Sequence, residues 1–460
     1  MPRLFGTSGI RGVYNEDLDP QKVLSISLAI GSYYGAGAKA LVGYDCRLSS
    51  NAITSIVAGG LISTGVSVDI CGYITTPAFQ KYMASTDEYD FGLIITASHN
   101  PPKYNGIKLI GKDGLEEYVD VEDRIQNIYE TESYSLANWD NLGAINYIGN
   151  TNIINTYVKS LISNLDGNFI NKRFRIVFDF TNCVSVFTIK ELVNSLENID
   201  GIFLNEDLDG RFPNRPSEPK PENLNLLMEK VVEEGADFGV GFDGDGDRAI
   251  IVDDEGVAWW GDYLGTVISK YLLETRGLKG IATPVTSSSV VDIVLSNMGI
   301  KVYRTKVGAK HIVKKMVEEK LLLGFEENGG IIYAPHVLTR DGGISTILTI
   351  NIITHFEDSL SSIMRELPLF YQIKDKLYLS NREVIPELLG AIQEEYRNKC
   401  MYMDLTDGVK IYFSKDRWVL IRPSGTEPII RVFAEGPTKD DAKLLVDTFK
   451  KELETYLETM

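Results

Sequence analysis

Read for apolar and polar positions, the chain breaks into a unit that recurs. A strand-length apolar run, a polar turn and an amphipathic helical stretch occur three times, opening at "ALVGYDCRLSS" from Ala40, "FRIVFDFTNCVS" from Phe174 and "KGIATPVTSSS" from Lys279. A second strand follows each helix, at "VSVDICGY", "IDGIFLNED" and "IKVYRTKVG", and after another helical stretch comes a third. Strands alternating with helices in this way predict α/β units with largely parallel pairing, and three copies predict three related domains. Each third strand ends unusually: "FGLIIT" runs into "ASHNPP", "FGVGFD" into "GDGDR" and "LLLGFE" into "ENGG". Ligands of such sheets bind beyond the carboxyl ends of the strands, so these loops are candidate site loops. Ordinary surface turns, which Gly, Asn and Asp also favour, are the competing explanation.

After about Pro368 the pattern changes. "GVKIYF", the turn "SKDR", "WVLI" and "IIRVFAEG" predict antiparallel strands, and "TKDDAKLLVDTFKKELETYLETM" predicts an amphipathic closing helix. The expected fold class is therefore α/β: three related α/β domains with mixed sheets plus a smaller C-terminal α+β domain. Joints near residues 148, 250 and 367 give expected domains 1–148, 149–250, 251–367 and 368–460. A fourth unusual loop, "RPSGTEP" at residues 422 to 428, interrupts the last of these.

Charge narrows the partners. With 64 acidic against 46 basic residues the formal net charge is -18, which repels nucleic acid and anionic lipid surfaces. A phosphorylated substrate then needs a locally basic pocket. The four cysteines, Cys46, Cys71, Cys183 and Cys400, stand far apart with no CxxC pair, which argues against a zinc site and a disulfide framework and fits a reducing cytosol. "MPRLFGTSGIRG" lacks the apolar core of a signal peptide and no apolar run approaches membrane-spanning length, so a cytoplasmic location is expected.

The loops carry the chemistry. "DGDGDR" sets Asp243, Asp245 and Asp247 at alternate positions, and three carboxylates gathered on one turn call for a cation. Oxygen-only ligands with positions to spare suit magnesium. An EF-hand needs glycine at its sixth position and glutamate at its twelfth, where Arg248 and Asp254 stand. "RPSGTEP" offers the Arg422 guanidinium, the Ser424 and Thr426 hydroxyls and the exposed amides around Gly425, the parts of a phosphate grip. Glu326 and Asn328 in "FEENGG" suit the vicinal hydroxyls of a sugar. Arg11 in "GTSGIRG" and Lys108 in "NGIK" add positive charge near "TASHNPP". Ser98 there has three readings: hydrolase nucleophile, phosphorylation site or helix cap. No G-x-S-x-G elbow surrounds it, and His99, being adjacent, points away in an extended backbone. A serine that carries phosphate accounts for the metal loop and the phosphate grip together.

With these loops in this order, the chain resembles the α-D-phosphohexomutase superfamily, which comprises phosphoglucomutases, phosphomannomutases and phosphoglucosamine mutases. The motifs span the whole length: "FGTSGIRG", "TASHNPPKYNGIK", "DGDGDR", "FEENGG" and "RPSGTEP". The resemblance implies a phosphoserine at Ser98, and magnesium held by Asp243, Asp245, Asp247 and a phosphate oxygen on Ser98. It implies Arg11, His99, Lys108 and Arg248 around the transferring phosphate, with Lys108 or His99 exchanging protons with the sugar hydroxyl. Glu326, Asn328 and Lys310 are the implied sugar contacts, and Arg422, Ser424, Gly425 and Thr426 the grip on the phosphate that is not reacting. The implied fold places its four domains around a central cleft. The implied reaction interconverts hexose 1-phosphate and hexose 6-phosphate through a hexose 1,6-bisphosphate, on glucose or mannose; a phosphoglucosamine mutase is the alternative. Rival classes are a magnesium-dependent sugar phosphatase and a non-catalytic sugar-phosphate binder. The expected state is monomer or homodimer. Three departures are visible: "DFTNCVS" replaces a glycine-rich turn, Phe325 stands where many relatives have glycine, and Asn328 where many have serine.

Overall fold

The computed structural model describes all residues except 1, 2, 7, 8, 168, 170, 171, 380, 425–428 and 460. The chain forms two compact units, residues 1–261 with 328–361 and residues 262–327 with 362–460. The stretch 251–367, expected as one domain, contributes to both.

The first unit opens with β1 (Ile10–Val13), α1 (Pro20–Tyr34), β2 (Lys39–Tyr44), α2 (Ser50–Ser63), β3 (Ser67–Tyr73), α3 (Thr76–Met83), β4 (Phe91–Ile95), β5 (Tyr104–Gly111), α4 (Val119–Thr131) and β6 (Ile145–Tyr147). Its sheet runs β1-β5-β4-β2-β3-β6. β2 pairs parallel with β3 and β4, whereas β5 pairs antiparallel with β4 and β1, so the sheet is mixed. Local chemistry sets the helix ends. Asp19 accepts hydrogen bonds from the amides of Gln21 and Lys22, Pro20 occupies the first turn of α1, and Gly35 ends it at φ 86°. Val23, Ile26 and Ile30 of α1 and Ile53, Val57 and Leu61 of α2 meet Val42, Leu93 and Ile107 in one buried core.

The second repeat follows: α5 (Thr151–Ile162), β7 (Phe174–Asp179), α6 (Ser185–Asn194), β8 (Ile199–Leu204), α7 (Asn225–Glu234), β9 (Phe238–Phe242), β10 (Ala249–Asp253) and β11 (Ala258–Trp259). Its sheet order is β11-β10-β9-β7-β8, again with a parallel centre and an antiparallel flank. In both repeats the third strand turns straight back into an antiparallel partner. The loops "ASHNPP" and "GDGD" are therefore hairpin connections, β4 to β5 and β9 to β10, at the carboxyl end of a parallel strand.

The third repeat supplies the second unit with α8 (Gly261–Arg276), β12 (Gly280–Pro284), α9 (Ser289–Asn297), β13 (Lys301–Thr305), α10 (Ala309–Glu319) and β14 (Leu323–Phe325), in which β12 pairs parallel with β13 and β14. Its remainder, β15 (Ile331–Tyr333), β16 (Val337–Arg340) and α11 (Gly342–Phe356), belongs to the first unit, and α12 (Leu360–Arg365) ends the repeat. The second unit is completed by β17 (Tyr371–Tyr378), α13 (Ile385–Tyr396), β18 (Tyr402–Asp404), β19 (Val409–Ser414), β20 (Arg417–Pro423), β21 (Ile429–Gly436) and α14 (Lys439–Thr459). These strands form an antiparallel sheet of order β17-β21-β20-β19-β18. Its edge strands β17 and β18 escape the sequence reading, because each lies on a half-exposed rim and carries few buried apolar residues.

One expectation is corrected. Cys46 and Cys183 form a disulfide, whereas Cys71 and Cys400 are free. The two partners stand 137 residues apart, just past the carboxyl ends of β2 and β7. Spacing along the chain carries no signal for such a pair, because only the folded structure brings the two turns together.

Candidate active site

Ser98 sits in the β4–β5 connection at φ 51°, a left-handed conformation uncommon for serine, and is fully buried. Its backbone is over-determined. Thr96 Oγ1 accepts from Ser98 N at 2.9 Å, and the Ser98 carbonyl accepts from Arg47 Nη2 at 2.7 Å and Ser217 Oγ at 3.0 Å. Arg47 goes further. Its guanidinium also donates to the carbonyls of Asn100, Pro101 and Tyr104, while its Nε pairs with Asp45 Oδ2 at 3.0 Å. One buried side chain thus holds four carbonyls of the serine loop.

The same left-handed turn overturns one detail of the sequence reading. His99 does not point away from Ser98, since its Nδ1 lies 3.4 Å from Ser98 Oγ. Burial, with Arg248 and Arg11 adding to it, holds the imidazole well below its usual pKa, and His99 is therefore neutral.

Ser98 Oγ donates to Asp243 Oδ2 at 2.7 Å and lies 3.5 Å from Asp247 Oδ1. Asp243, Asp245 and Asp247 are all buried, and ligand atoms from the three fall within 4.8 Å of one another. Glycine spacing makes this possible. A side chain at Gly244 would stand 2.8 Å from the Ser98 carbonyl, and Gly246 adopts φ 71°. Burial first, then repulsion from Asp247 and Asp245, raises the Asp243 carboxyl well above the usual range. Burial also opposes charge on Asp247, but Arg340, Lys108 and Arg248 outweigh it and hold that carboxyl well below. Asp245 Oδ1 is buried without a hydrogen-bond partner. Three crowded carboxylates, one with an orphaned oxygen and one pushed toward its neutral form, are a donor set short of a cation, and hard oxygen ligands suit magnesium.

Cations ring the triad. Lys108 Nζ lies 2.7 Å from Asp245 Oδ2 and 3.1 Å from Asp247 Oδ2; burial opposes its charge, yet the two carboxylates keep its pKa raised. Thr76, at the start of α3, donates its hydroxyl to Asp245 Oδ2 at 2.6 Å and its amide to the Asp245 carbonyl. Arg340 Nη2 meets Asp247 Oδ2 at 2.5 Å. Arg248 Nε is 3.7 Å from Asp247 Oδ1 and lacks a hydrogen bond. Arg11 is held by Asn100 through Nη1 at 2.8 Å, while its Nε and Nη2 are buried and unpartnered. Guanidinium donors buried without acceptors await an anion. A serine hydroxyl against a carboxylate triad, with such donors around it, is suited to carrying a phosphoryl group. Arg47, Thr76, Ser217 and Arg340 are absent from the sequence-based set. Arg47 lies in "YDCRLSS", an end-of-strand loop of the kind the repeat pattern flags; Arg340 carries no such signal.

Asn328 joins this unit: Gly329 follows it at φ 90°, its carbonyl accepting from Ala249 N beside Arg248. The second unit holds the other sugar and phosphate candidates. Glu326 is buried at the end of β14, and Phe325 packs its ring where a side chain at Gly265 would come within 2.4 Å, so a small residue in α8 accommodates the departure at 325. Arg422 Nε pairs with Asp407 Oδ2 at 2.5 Å, and the same oxygen accepts from Val307 N at 3.0 Å, which sets Arg422 beside the segment leading into Lys310 on α10. Ser424 is buried, with its amide donating to the Ile429 carbonyl and its carbonyl accepting from Arg382. Gly425 and Thr426 lie outside the described residues.

Four family profiles match the chain: phosphoglucomutase/phosphomannomutase alpha/beta/alpha domain I at residues 2–135, domain II at 155–256, domain III at 260–371, and the C-terminal domain at 380–452. A phosphoglucosamine/phosphogalactosamine mutase of Sulfurisphaera tokodaii is 39% identical over 457 residues, covering 99% of this chain and 100% of the relative. The chain belongs to the phosphoglucomutase/phosphomannomutase family of the α-D-phosphohexomutase superfamily. A family relative named phosphoglucomutase/phosphomannomutase, from Thermococcus kodakarensis, is 35% identical over 463 residues, 99% of this chain and 100% of its own. A phosphoglucosamine mutase of Methanocaldococcus jannaschii is 32% identical over 451 residues, 97% of each chain. Among solved structures, a phosphoglucomutase/phosphomannomutase family protein from Burkholderia thailandensis shares the fold with a TM-score of 0.85 at 23% identity, covering 99% of this chain and 98% of that one.

Proposed function

We propose that this phosphomutase interconverts the 1-phosphate and 6-phosphate of a hexose or hexosamine, with Ser98 as the temporary phosphoryl carrier. The observation that carries the reading is Ser98 Oγ, buried 2.7 Å from Asp243 and faced by arginine donors that lack acceptors. In the first half-reaction the bond from phosphorus to Ser98 Oγ breaks and a bond to the sugar oxygen forms, giving the 1,6-bisphosphate, while the proton of the sugar hydroxyl passes by way of His99 to the freed Ser98 Oγ. After the sugar turns over, the other phosphate returns to Ser98 Oγ, and the proton of its hydroxyl passes to the product oxygen from which that phosphate leaves. Asp243, Asp245 and Asp247 would hold magnesium, which supplies charge neutralisation at the phosphoryl oxygens when bound. Arg11 and Arg248 receive those oxygens through their free guanidinium donors. Lys108, tied to two carboxylates, keeps its charge and offsets theirs, while His99 Nδ1 places a basic atom beside the transfer point.

Arg422 and Ser424, with Gly425 and Thr426, take the phosphate that is not reacting, and Glu326, Asn328 and Lys310 take the sugar. For the sugar itself, the motifs do not separate glucose and mannose from glucosamine, whereas relatives named as phosphoglucosamine mutases at 32% to 39% identity favour glucosamine. Location in the cytoplasm accords with such a substrate.

The test compares initial rates on the 1-phosphates of glucose, mannose, glucosamine and N-acetylglucosamine, with magnesium and a trace of bisphosphate. Turnover to the 6-phosphate without release of inorganic phosphate is expected, together with a phosphorylated peptide spanning Ser98. Stoichiometric phosphate release, or turnover that survives Ser98→Ala, would falsify the reading.

A further inference from the structure

The first turn of α11 is wedged against the loop that carries the aspartate triad. Gly342 N donates to the Gly246 carbonyl at 3.1 Å, and two residues earlier Arg340 Nη2 meets Asp247 Oδ2 at 2.5 Å. The approach is close enough to require glycine, since a side chain at Gly342 would stand 2.8 Å from the Phe242 ring at the end of β9. Asp341 stands between these two contacts, and its carboxylate is engaged elsewhere.

Asp341 caps α11, its Oδ1 accepting from Gly343 N at 2.7 Å and Ile344 N at 3.2 Å. A cap needs one oxygen. Here Oδ1 also accepts the Tyr157 hydroxyl at 2.6 Å, and Oδ2, which a serine cap would lack, faces His336 Nε2 at 2.9 Å. His336 Nδ1 in turn lies 2.8 Å from Ser160 Oγ, so the contacts end on α5, which carries both Tyr157 and Ser160. Asp341, His336 and Tyr157 are all buried, and a buried polar network with its members paired stiffens the segment it holds.

The network fixes β16 at both ends. Before the strand, the His336 carbonyl accepts from Lys81 Nζ at 2.8 Å, and near its end Thr339 donates to Gln80 Oε1 at 2.7 Å. Both ties run to α3, whose Thr76 donates to Asp245. Arg340, last in the strand, has a fixed base, and its stem crosses Gly330, where a side chain would stand 2.5 Å from Arg340 Cδ. From there it orients Asp247: with Lys108 it takes Oδ2, leaving Oδ1 3.5 Å from Ser98 Oγ. The choice of oxygen that faces the serine therefore depends on Asp341, through Arg340.

We infer that Asp341 is a positioning residue for phosphoryl transfer that acts through Arg340, with Tyr157, His336 and Ser160 holding it from α5. The inference rests on the reading of Ser98 as the phosphoryl carrier. A misplacement of about 1 Å at a reacting centre costs on the order of a hundredfold in rate, so a loosened Arg340 registers in kcat.

Initial rates of conversion from 1-phosphate to 6-phosphate at saturating magnesium test it. Serine and asparagine cap helices about as well as aspartate does, so a residue that only capped α11 would tolerate either. Asp341→Ser keeps a capping oxygen and removes the one that meets His336, and kcat is expected to fall more than about tenfold. Asp341→Asn keeps both links, because the His336 imidazole exchanges its donor and acceptor nitrogens to meet an amide, and kcat should stay within about threefold of wild type. In an Arg340→Met background, Asp341→Ser should cost much less than it does in the wild type, since the residue through which it acts is gone. Should Asp341→Ser misfold, Tyr157→Phe takes its place: it strands no donor and is expected to lower kcat about threefold, and by less where Arg340 is replaced. Three results overturn the inference: wild-type kcat in the serine and phenylalanine variants, a fall in Asp341→Asn as deep as in Asp341→Ser, or a cost undiminished by Arg340→Met. Turnover that survives Ser98→Ala sinks instead the reading on which it rests.

Discussion

Arg47 holds the loop of the reacting serine in place, and Arg340 pairs with Asp247 of the aspartate triad. Arg47 satisfies four carbonyls of the Ser98 loop and Asp45 at once, which a lysine with three donors on a flexible stem cannot do. Arg47→Lys is expected to lower stability by about 2–3 kcal/mol, the cost of stranding buried acceptors, and to cut kcat more than tenfold because Ser98 loses its fixed position. Thermal unfolding and initial rates check both, and a variant with full kcat would show that the loop holds itself. Arg340 tests the charge balance of the site. Arg340→Met keeps the volume but removes a positive charge from Asp247, so divalent cations should bind on the order of tenfold more tightly, about 1.4 kcal/mol, and phosphosugar more weakly. Calorimetric titration of each ligand reads the two signs, and equal signs would sink the electrostatic account. The motifs announce Ser98 and the three aspartates because those residues are contiguous with their own turn glycines. Arg47 is announced only by the loop it lies in, and Thr76 and Arg340 stay silent, since their partners are 169 and 93 residues away in sequence.

At the scale of elements, the three strand–helix repeats and the three unusual loops are legible because buried parallel strands are continuous apolar runs. The sequence does not disclose that two of those loops close antiparallel hairpins, which depends on the strand order in each sheet. Nor does it disclose what "DFTNCVS" does in place of a glycine-rich turn. The backbone keeps the left-handed path that glycine would take: Thr181 has φ 50° and Asn182 φ 59°. A β-branched residue there is strained, and Thr181 Oγ1 is buried without a hydrogen-bond partner. Thr181→Gly is therefore expected to stabilise the protein by about 1 kcal/mol, read as a rise in the unfolding midpoint. A fall of similar size would mean that the threonine methyl contributes more through packing than the conformation costs. Alkylation of the unfolded, unreduced protein should label Cys71 and Cys400 and spare Cys46 and Cys183; four labelled thiols would remove the cross-link between the β2 and β7 turns.

Over the whole molecule, the segment from residue 362 onward folds together with 262–327, although thirty-four residues that belong to the other unit intervene. The seal within this second unit is polar at its centre. Trp418 Nε1 donates to Glu435 Oε1 at 2.8 Å, Glu435 also accepts from Ser289 N and Gln372, and Lys410 Nζ donates to the Val285 carbonyl at 2.6 Å. Lys410 is wholly buried beneath the Trp418 ring, 3.7 Å from its centroid. Burial, reinforced by Arg304 and opposed by Glu435, Asp292 and Asp404, brings its pKa from 10.5 down to about 7. The folded state therefore binds this proton more weakly than the unfolded state does. Below about pH 7 both states are protonated and the full penalty of a buried ammonium applies; between there and the unfolded value the unfolded chain binds the extra proton, and stability rises with pH by up to about 1.4 kcal/mol per unit. Lys410→Met lacks this slope. Denaturant unfolding of both proteins from about pH 7 to about pH 9 should show the wild type gaining about 2 kcal/mol relative to the variant. Parallel profiles would mean that the Trp418 face and the Val285 carbonyl hold the ammonium charged throughout, because a desolvated cation–π contact of about 2 kcal/mol then offsets much of the burial cost.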